Sequence, residues 1–381
     1  MSGDHRALTS ASEARGTVWD GRMSRRSFLG WSAAAAAGMA ASHLFLLPGP
    51  RGRVALNWVT AQETLDDYPI WVAQSRGYLD RLGIDLSVSL VGQSPAIDTV
   101  RHRAINFSSP AEVVTAVDRG LSTTSVFQLS AGSVFGFAFR DSRKRASDLD
   151  GATVAIGDET WRAILDPLLV EARVNPVGVR TVIAGSRWLD AVRTGDADAA
   201  VSWRGLDLGP TGRGLVHRVG DRWSRFPANS YVVESLPTLT PAEESGLQRF
   251  LQATVMALDF AAANPRAAAQ IAYRSAPGLS AELSPQAAVD RVLIASSIYG
   301  AGKARGLAWG FHESDRWTRY LNAAQKAGLI KSAPAIDVYT NRFVAAANAV
   351  DTTPATLDAT TFPLVSDFKN TTVPKGGLVD A

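Results

Sequence analysis

The chain has 381 residues, 46% hydrophobic and 20% charged, with no cysteine, a composition that builds packed cores and excludes both a largely disordered chain and a disulfide-stapled one. Its net charge of +3 is small, and residues 1–42 supply +2 of it through five arginines set against Asp4, Glu13 and Asp20. No basic stripe is left to grip a phosphate backbone, so nucleic acid is excluded as a partner.

At the start of the chain, Ser24-Arg25-Arg26-Ser27-Phe28-Leu29-Gly30 runs into a weakly hydrophobic, alanine-rich stretch ending near Ala41. Paired arginines ahead of such a run read as a twin-arginine export signal over residues 1–42, with Arg25 and Arg26 as its recognition pair and cleavage expected between 41 and 53. A retained anchor is the alternative, since Phe28 to Leu47 has about the 20 residues a bilayer requires. Ser32, Gly38, Ser42 and His43 make that stretch a poor membrane span. The twin-arginine translocase moves folded proteins, and a chain without cysteine has no residue for a lipid tether. A soluble, unlipidated periplasmic protein is therefore expected. About 330 residues remain beyond the signal, more than one hydrophobic core usually organises, so two lobes are expected.

Val54–Trp58 reads as a buried strand, followed by a polar loop through Thr60, Gln62, Glu63, Asp66 and Asp67. Tyr68-Pro69 opens a helix that Asp67 can cap and Gly77 ends. Ile84, Leu86, Val88 and Leu90 alternate with polar residues, the period of a strand. A helix near 95–103, a strand at Ala104–Phe107, a helix from Ser108-Ser109-Pro110, and strands at Ser125–Gln128 and Phe135–Arg140 follow. After the polar connector 141–145 the pattern restarts. It comprises strand Ala152–Ile156, a helix near 160–173, a strand near Val179–Ile183, a helix near 186–194, and strand Ala199–Trp203. Ser230–Val233 is a further strand, and from Pro241 the chain is mainly helical. The residues after Asp351 show no periodicity and are expected to wrap the surface or to be partly disordered. Alternating strands and helices imply an α/β protein with parallel sheets.

Several stretches carry a family resemblance. Asn57-Trp58, the run Tyr68 to Leu79 (YPIWVAQSRGYL) and Leu82-Gly83-Ile84-Asp85-Leu86 are similar to the N-terminal signature of the nitrate/sulfonate/taurine and thiamine-precursor binding proteins. Asn106 to Glu112, Leu149 to Gly157, Gly195 to Ala200, Gly328-Leu329-Ile330 and Tyr339 to Phe343 follow in the family's order, so the resemblance spans about 54–345. It departs at Arg103-Ala104-Ile105-Asn106, where the family has a glycine and a different turn. The resemblance implies a two-lobe periplasmic binding protein fold of type II, each lobe a mostly parallel sheet flanked by helices, hinged by two crossing strands. Residues 54–140 with 229–345 form the first lobe and 141–228 the second, with a tail at 346–381 and hinges near Phe139–Asp141 and Pro227–Ser230. The implied role is a monomeric receptor that passes a small molecule to a membrane ABC permease. An enzyme like the thiamine-pyrimidine synthases, or a receptor feeding a sensor kinase, are the other roles of this fold. The first conflicts with export and with the lack of cysteine.

Catalytic and cofactor chemistry is not written in the residues. Beyond the signal only His102, His217 and His312 remain, without carboxylates at ligand spacing, so no metal is expected. There is no Gly-x-Ser-x-Gly elbow. Gly302-Lys303 lacks the P-loop's first glycine (Ser297) and its Ser/Thr (Ala304). Neither catalytic residue nor cofactor is expected. Ligand contacts are sought where open α/β sheets bind, at strand C-terminal ends. Trp58 is a stacking face or a core residue, while Asp66, Asp67 and Tyr68 are loop and cap residues or contacts. Ser108 and Ser109 precede a helix whose free N–H groups hold an oxygen, or simply cap it. Gln128 is a neutral polar candidate. In the second lobe, Asp158, Glu159, Thr160 and Trp161 occupy the turn after Ile156, and Trp203-Arg204 another strand end. Glu159 would accept a ligand N–H and Arg204 would grip an anion, so the two report opposite ligand charges. The acids and tryptophans favour a nitrogen-bearing or aromatic molecule, with a sulfonate as the competing type.

Overall fold

In the computed structural model the described residues are 52–374, apart from 61–63, 91–104, 205, 207–211, 213, 220–224, 235, 277, 279–282 and 333–336. Arg25, Arg26, His102 and the helix expected near 95–103 lie outside them. No helix of the described residues is long and apolar enough to cross a membrane.

Among the described residues, ten strands form two separate five-stranded sheets. The first contains β1 (Val54–Thr60), β2 (Ile84–Leu90), β3 (Ile105–Ser108), β4 (Thr123–Gln128) and β10 (Ser230–Glu234), in the order β2-β1-β3-β10-β4. The second contains β5 (Phe135–Phe139), β6 (Thr153–Ile156), β7 (Arg180–Ile183), β8 (Ala199–Trp203) and β9 (Val216–Val219), in the order β7-β6-β8-β5-β9. β1 runs parallel to β2 and β3, and β6 parallel to β7 and β8. β10 is antiparallel to both its neighbours, and so is β5. Each sheet is therefore mostly parallel, as expected, with four strands running one way and one, β10 or β5, running against them. The physical reason is that β5 and β10 are the strands that enter a sheet from the other lobe, and so run against their neighbours.

Because β5 pairs with β8 and β9, the first crossing between sheets is Leu129–Val134, not 139–141. The second reaches β10 through Phe226–Asn229. The two crossings run side by side, with Ser130 N–H donating to Asn229 C=O (3.1 Å) and Ser133 N–H to Phe226 C=O (3.1 Å). β9 was not expected from the sequence; its His217 Nδ1 lies 2.6 Å from the Ser202 hydroxyl of β8.

Helices cover both sheets. α1 (Tyr68–Ser75) begins with Pro69 in its first turn, and Gly77 (φ 66°) turns the chain into α2 (Tyr78–Arg81). Only glycine adopts that angle without strain. α3 (Pro110–Asp118) starts from a capping box in which Ser109 N–H donates to Glu112 (2.6 Å) and Ser109 Oγ accepts from Glu112 N–H. α4 (Arg162–Glu171) and α5 (Trp188–Thr194) flank the second sheet, each preceded by a 3₁₀ turn. The helical C-terminal half contributes α6 (Pro241–Ala263), α7 (Pro265–Ser275), α8 (Pro285–Gly300), α9 (Ser314–Lys326) and α10 (Val344–Asn348).

The tail differs from expectation. It folds into α11 (Thr353–Thr361) and α12 (Ser366–Lys369). α11 is clamped to the first lobe by Asp358, which takes two bonds from Arg76 (2.5 and 2.8 Å) and one from Tyr78 Oη (2.9 Å). Asn264 Nδ2 donates to Ala359 C=O (2.8 Å) on the same helix. Anchors so distant in sequence leave no local periodicity to read.

Candidate functional site

The C-terminal ends of β1, β3 and β4 share one edge of the first sheet, where Ser230 opens β10 opposite both Ser108 and Gln128. The ends of β6 and β8 share one edge of the second sheet, where Phe135 opens β5 opposite Trp203. The crossing 129–134 leads from the first edge directly to the second. The two edges consequently face one another, and a crevice lies between the lobes. It is lined by Ser109 and Pro110 at the start of α3, by Ile164 and Pro167 of α4, and by Phe226 and Tyr320. Its wall is almost entirely apolar. Across it, Arg319 of α9 pairs with Glu171 of α4 at 2.7 Å, and the Phe226 and Tyr320 rings meet edge to face at 5.3 Å.

Of the expected site residues, the structure brings Ser109 to this crevice, with its side chain engaged in the capping box. Ser108 lies beside it, buried and donating to Asn106 Oδ1 (3.0 Å). Gln128 is tied internally. Its Nε2 donates to Ser130 C=O (3.0 Å), and its Oε1 lies 2.9 Å from His312 Nδ1. Burial pushes the His312 imidazole down to about 3, so the ring is neutral. It joins β4 to β10 through Ser125, which lies 3.3 Å from His312 Nε2 and 2.5 Å from the Ser230 hydroxyl.

Three tryptophans are core residues rather than stacking platforms. Trp58 is closed in by Tyr231 (5.0 Å, edge-on) and Phe250 (6.3 Å, stacked). Trp161 and Trp203 pack with Trp188 in an aromatic triad with centroids 5.5–6.0 Å apart. Their positions at strand ends are the expected ones, but their rings face inward, where a large apolar surface is worth most. Asp158 caps the turn after β6, accepting from Thr160 N–H (2.9 Å) and from the Thr160 hydroxyl. Glu159 and Thr160 are exposed, and Arg204 is half-buried.

Asp67 is a correction of a different kind. It stands at the N-cap position of α1 without making a side-chain cap bond; the cap in this corner is Thr64, whose hydroxyl accepts from Asp67 N–H (3.3 Å). The Asp67 carboxyl is buried and pushed up to about 7, first by burial and then by the charge of Asp66. Asp66 is itself raised by burial, partly offset by Arg291 at 4.0 Å. Tyr68 stacks on Tyr299 (5.7 Å) and receives a bond from the Ser296 hydroxyl (3.2 Å), while Tyr299 Oη donates to Asp66 C=O (3.1 Å). Tyr231, Tyr299 and Ser296 escaped the sequence reading. They come from β10 and α8, elements that only the fold brings to this corner. Among the described residues, no group of three or more His, Cys, Asp or Glu side chains is placed to hold a metal ion.

Comparison with known proteins bears on the whole arrangement. Residues 65–268, more than half of the chain, match the model of the family described as NMT1/THI5 like. The chain belongs to that family. No curated protein matches it. Among solved structures it is similar to a protein from Bordetella bronchiseptica RB50 (TM-score 0.55, 15% identity, covering 77% of this chain and 97% of that one). It is also similar to a protein described as the periplasmic sulfonate-binding protein of a sulfonate ABC transporter from Methylobacillus flagellatus KT (0.55, 12%, 81% and 94%). A third is the ligand-binding component of an ABC-type import system from Staphylococcus aureus, with zinc bound (0.53, 10%, 78% and 99%). At these identities the likeness establishes the fold, that of the type II periplasmic binding proteins, and leaves the ligand to the site itself.

Proposed function

We propose that this member of the NMT1/THI5 like family is a non-enzymatic, extracytoplasmic receptor that closes its two lobes over a small organic molecule and presents it to an ABC permease. The observation that carries this reading is the pair of facing sheet edges joined by two adjacent crossings, Leu129–Val134 and Phe226–Asn229. Two rigid sheets linked through short segments rotate about them, and closure over a ligand creates the surface a permease recognises. Similar folds described as parts of ABC systems support the same role.

Within this reading the exposed Glu159 and Thr160 and the half-buried Arg204 are the second lobe's contacts, and Ser109 is the first lobe's. The chain acts as a periplasmic monomer, delivered by the twin-arginine translocase through Arg25 and Arg26. Replacing both arginines with lysine should hold the precursor in the cytoplasm. Recovery of the double variant from the periplasm at normal yield would reject that route.

The receptor role is tested by a thermal-shift screen across sulfonates, nitrate, amides and amines, followed by small-angle scattering with each hit. A ligand at 100 times its Kd should add about 2.7 kcal/mol of stability, and the radius of gyration should fall on saturation. Glu159→Gln weakens binding if the ligand offers an N–H, whereas Arg204→Ala weakens it if the ligand is an anion. No hit from any class, with an unchanged scattering profile, would reject the receptor reading.

A further inference from the structure

Among the described residues that line the crevice between the lobes none is charged, and the polar ones are Ser109, Ser133 and Tyr320. Both serines already have work. Ser109 Oγ accepts from Glu112 N–H in the cap of α3, and Ser133 Oγ accepts from Phe135 N–H (3.4 Å). Tyr320 is different. It is 5% exposed, and its Oη is buried with no hydrogen-bond partner among the described residues. Its ring is set edge to face against Phe226 at 5.3 Å. Burial, and then the charge of Glu112, keeps the proton on that oxygen, so Tyr320 is a donor throughout the ordinary pH range. Glu112 belongs to α3, whose first turn also lines the crevice through Pro110 and Ala111, so the phenol lies on that side of the space.

Native folds seldom bury an O–H that bonds to nothing, because it forfeits its bonds to water and gains none in return. Here the group stands in the wall of a cavity, and a molecule filling the cavity can supply the acceptor. The space is about 340 Å³ counted to its open mouth, at the small end of the range for small-molecule sites. The wall decides what that molecule is. A sulfonate or nitrate would shed its water with no lining cation in return, since Arg319 is already paired with Glu171 (2.7 Å). An ammonium would find no lining carboxylate, and Glu112 is engaged with Ser109 N–H (2.6 Å). A neutral ring bearing a carbonyl oxygen loses little on leaving water and gives Tyr320 its acceptor.

We infer that the crevice takes the body of an uncharged, largely apolar ligand, a ring carrying a carbonyl oxygen, and that Tyr320 Oη donates the hydrogen bond that orients it. This rests on the receptor reading above and adds the ligand's chemical class and the residue that orients it. It also separates this chain from a sulfonate receptor, although the fold is shared.

The test uses four probes on one ring: acetophenone, ethylbenzene, benzylamine and benzenesulfonate. Melting shifts and calorimetric titration are measured on the wild type and on Tyr320→Phe, which keeps the ring against Phe226 and deletes only the hydroxyl. Acetophenone should stabilise the wild type and bind about tenfold more tightly than ethylbenzene, while the two charged probes should not bind. In Tyr320→Phe the acetophenone affinity should fall to that of ethylbenzene, with ethylbenzene itself unchanged. The unliganded variant should melt at or above the wild-type temperature, since nothing paired is lost. Several outcomes overturn the inference while leaving a receptor. They are binding that favours a charged probe, equal affinity of the wild type for acetophenone and ethylbenzene, or acetophenone affinity unchanged in Tyr320→Phe. A sharp fall in the variant's unliganded melting temperature with affinity intact also overturns it, by marking a structural bond to Glu112. So does a hit in the wider screen when none of the four probes binds. Failure of the receptor reading looks different, because then no class in the wider screen binds at all, and the inference falls with it.

Discussion

Asp67 shows how a single side chain can set the pH response of a fold. A carboxyl whose pKa is raised in the folded state holds its proton better there than in the unfolded chain. It costs no stability at low pH and costs progressively more as pH climbs from its ordinary value of 3.8 to about 7, after which the cost is constant. Asp67→Asn should match the wild type near pH 4 and exceed it at pH 8 by on the order of 2–4 kcal/mol. Urea unfolding of both proteins at the two pH values measures this. Glu234, pushed up to about 7 by burial, and His312, pushed down to about 3, titrate on folding too. The difference between variant and wild type is therefore the readout, and a difference that does not change with pH would clear Asp67 of the role. Gly310 offers a second prediction at this scale. It sits at φ 81°, its C=O accepts from Gln128 N–H (2.9 Å), and a Cβ there would lie 2.1 Å from the Phe127 ring. Gly310→Ala should cost more than about 3 kcal/mol, read as a loss of soluble yield or a large drop in melting temperature. A variant melting like the wild type would mean that Phe127 has room to move.

At the scale of elements, local signals carried most of the reading. Ser108-Ser109-Pro110 announced α3, the alternation from Ile84 to Leu90 announced β2, and Pro241 opened the long α6. Elements held by distant partners were not legible. β9 is a four-residue edge strand tied through His217 to Ser202, and α11 depends on a clamp formed by residues nearly 300 positions upstream. That clamp makes α11 a test case. Asp358 is pulled below the usual carboxylate range by its bonds to Arg76, and the groups are partly exposed, so the contribution is modest. Asp358→Ala should lower stability by about 1–2 kcal/mol and expose the chain beyond Val350 to trypsin. A digestion pattern identical to the wild type's would show that Asn264, and Gln270 whose Oε1 accepts from Val365 N–H (2.9 Å), hold the segment without it.

For the whole molecule, the contact between α9 and α4 governs how the lobes stand before ligand arrives. Arg319 and Glu171 pair across the crevice at side-chain exposures of 40% and 13%, beside the Phe226–Tyr320 contact. A partly exposed pair adds only about 0–1 kcal/mol to global stability, yet a shift of that size moves a two-state equilibrium between lobe positions severalfold. Arg319→Ala should leave the melting temperature nearly unchanged and raise the radius of gyration of the unliganded protein. If scattering shows no change, the pair is not a latch, and the apolar wall alone sets the lobe positions.

The sequence by itself determined the α/β alternation, the two-lobe plan, and the strand ends at which a ligand would be sought. Each of these follows from local periodicity, capping chemistry or a run of short motifs in order. Tertiary structure alone decided the rest. It reversed β5 and β10 within their sheets, because a strand arriving from the other lobe enters from the opposite edge. It turned Trp58, Trp161 and Trp203 inward, because a ring at a strand end can face either side and the buried side removes more apolar surface from water. It also gathered Asp67, Trp58 and Tyr231 from a loop and two strands separated by more than 160 residues of chain. No spacing in the sequence records that meeting, since it depends on which strands pair rather than on the residues between them.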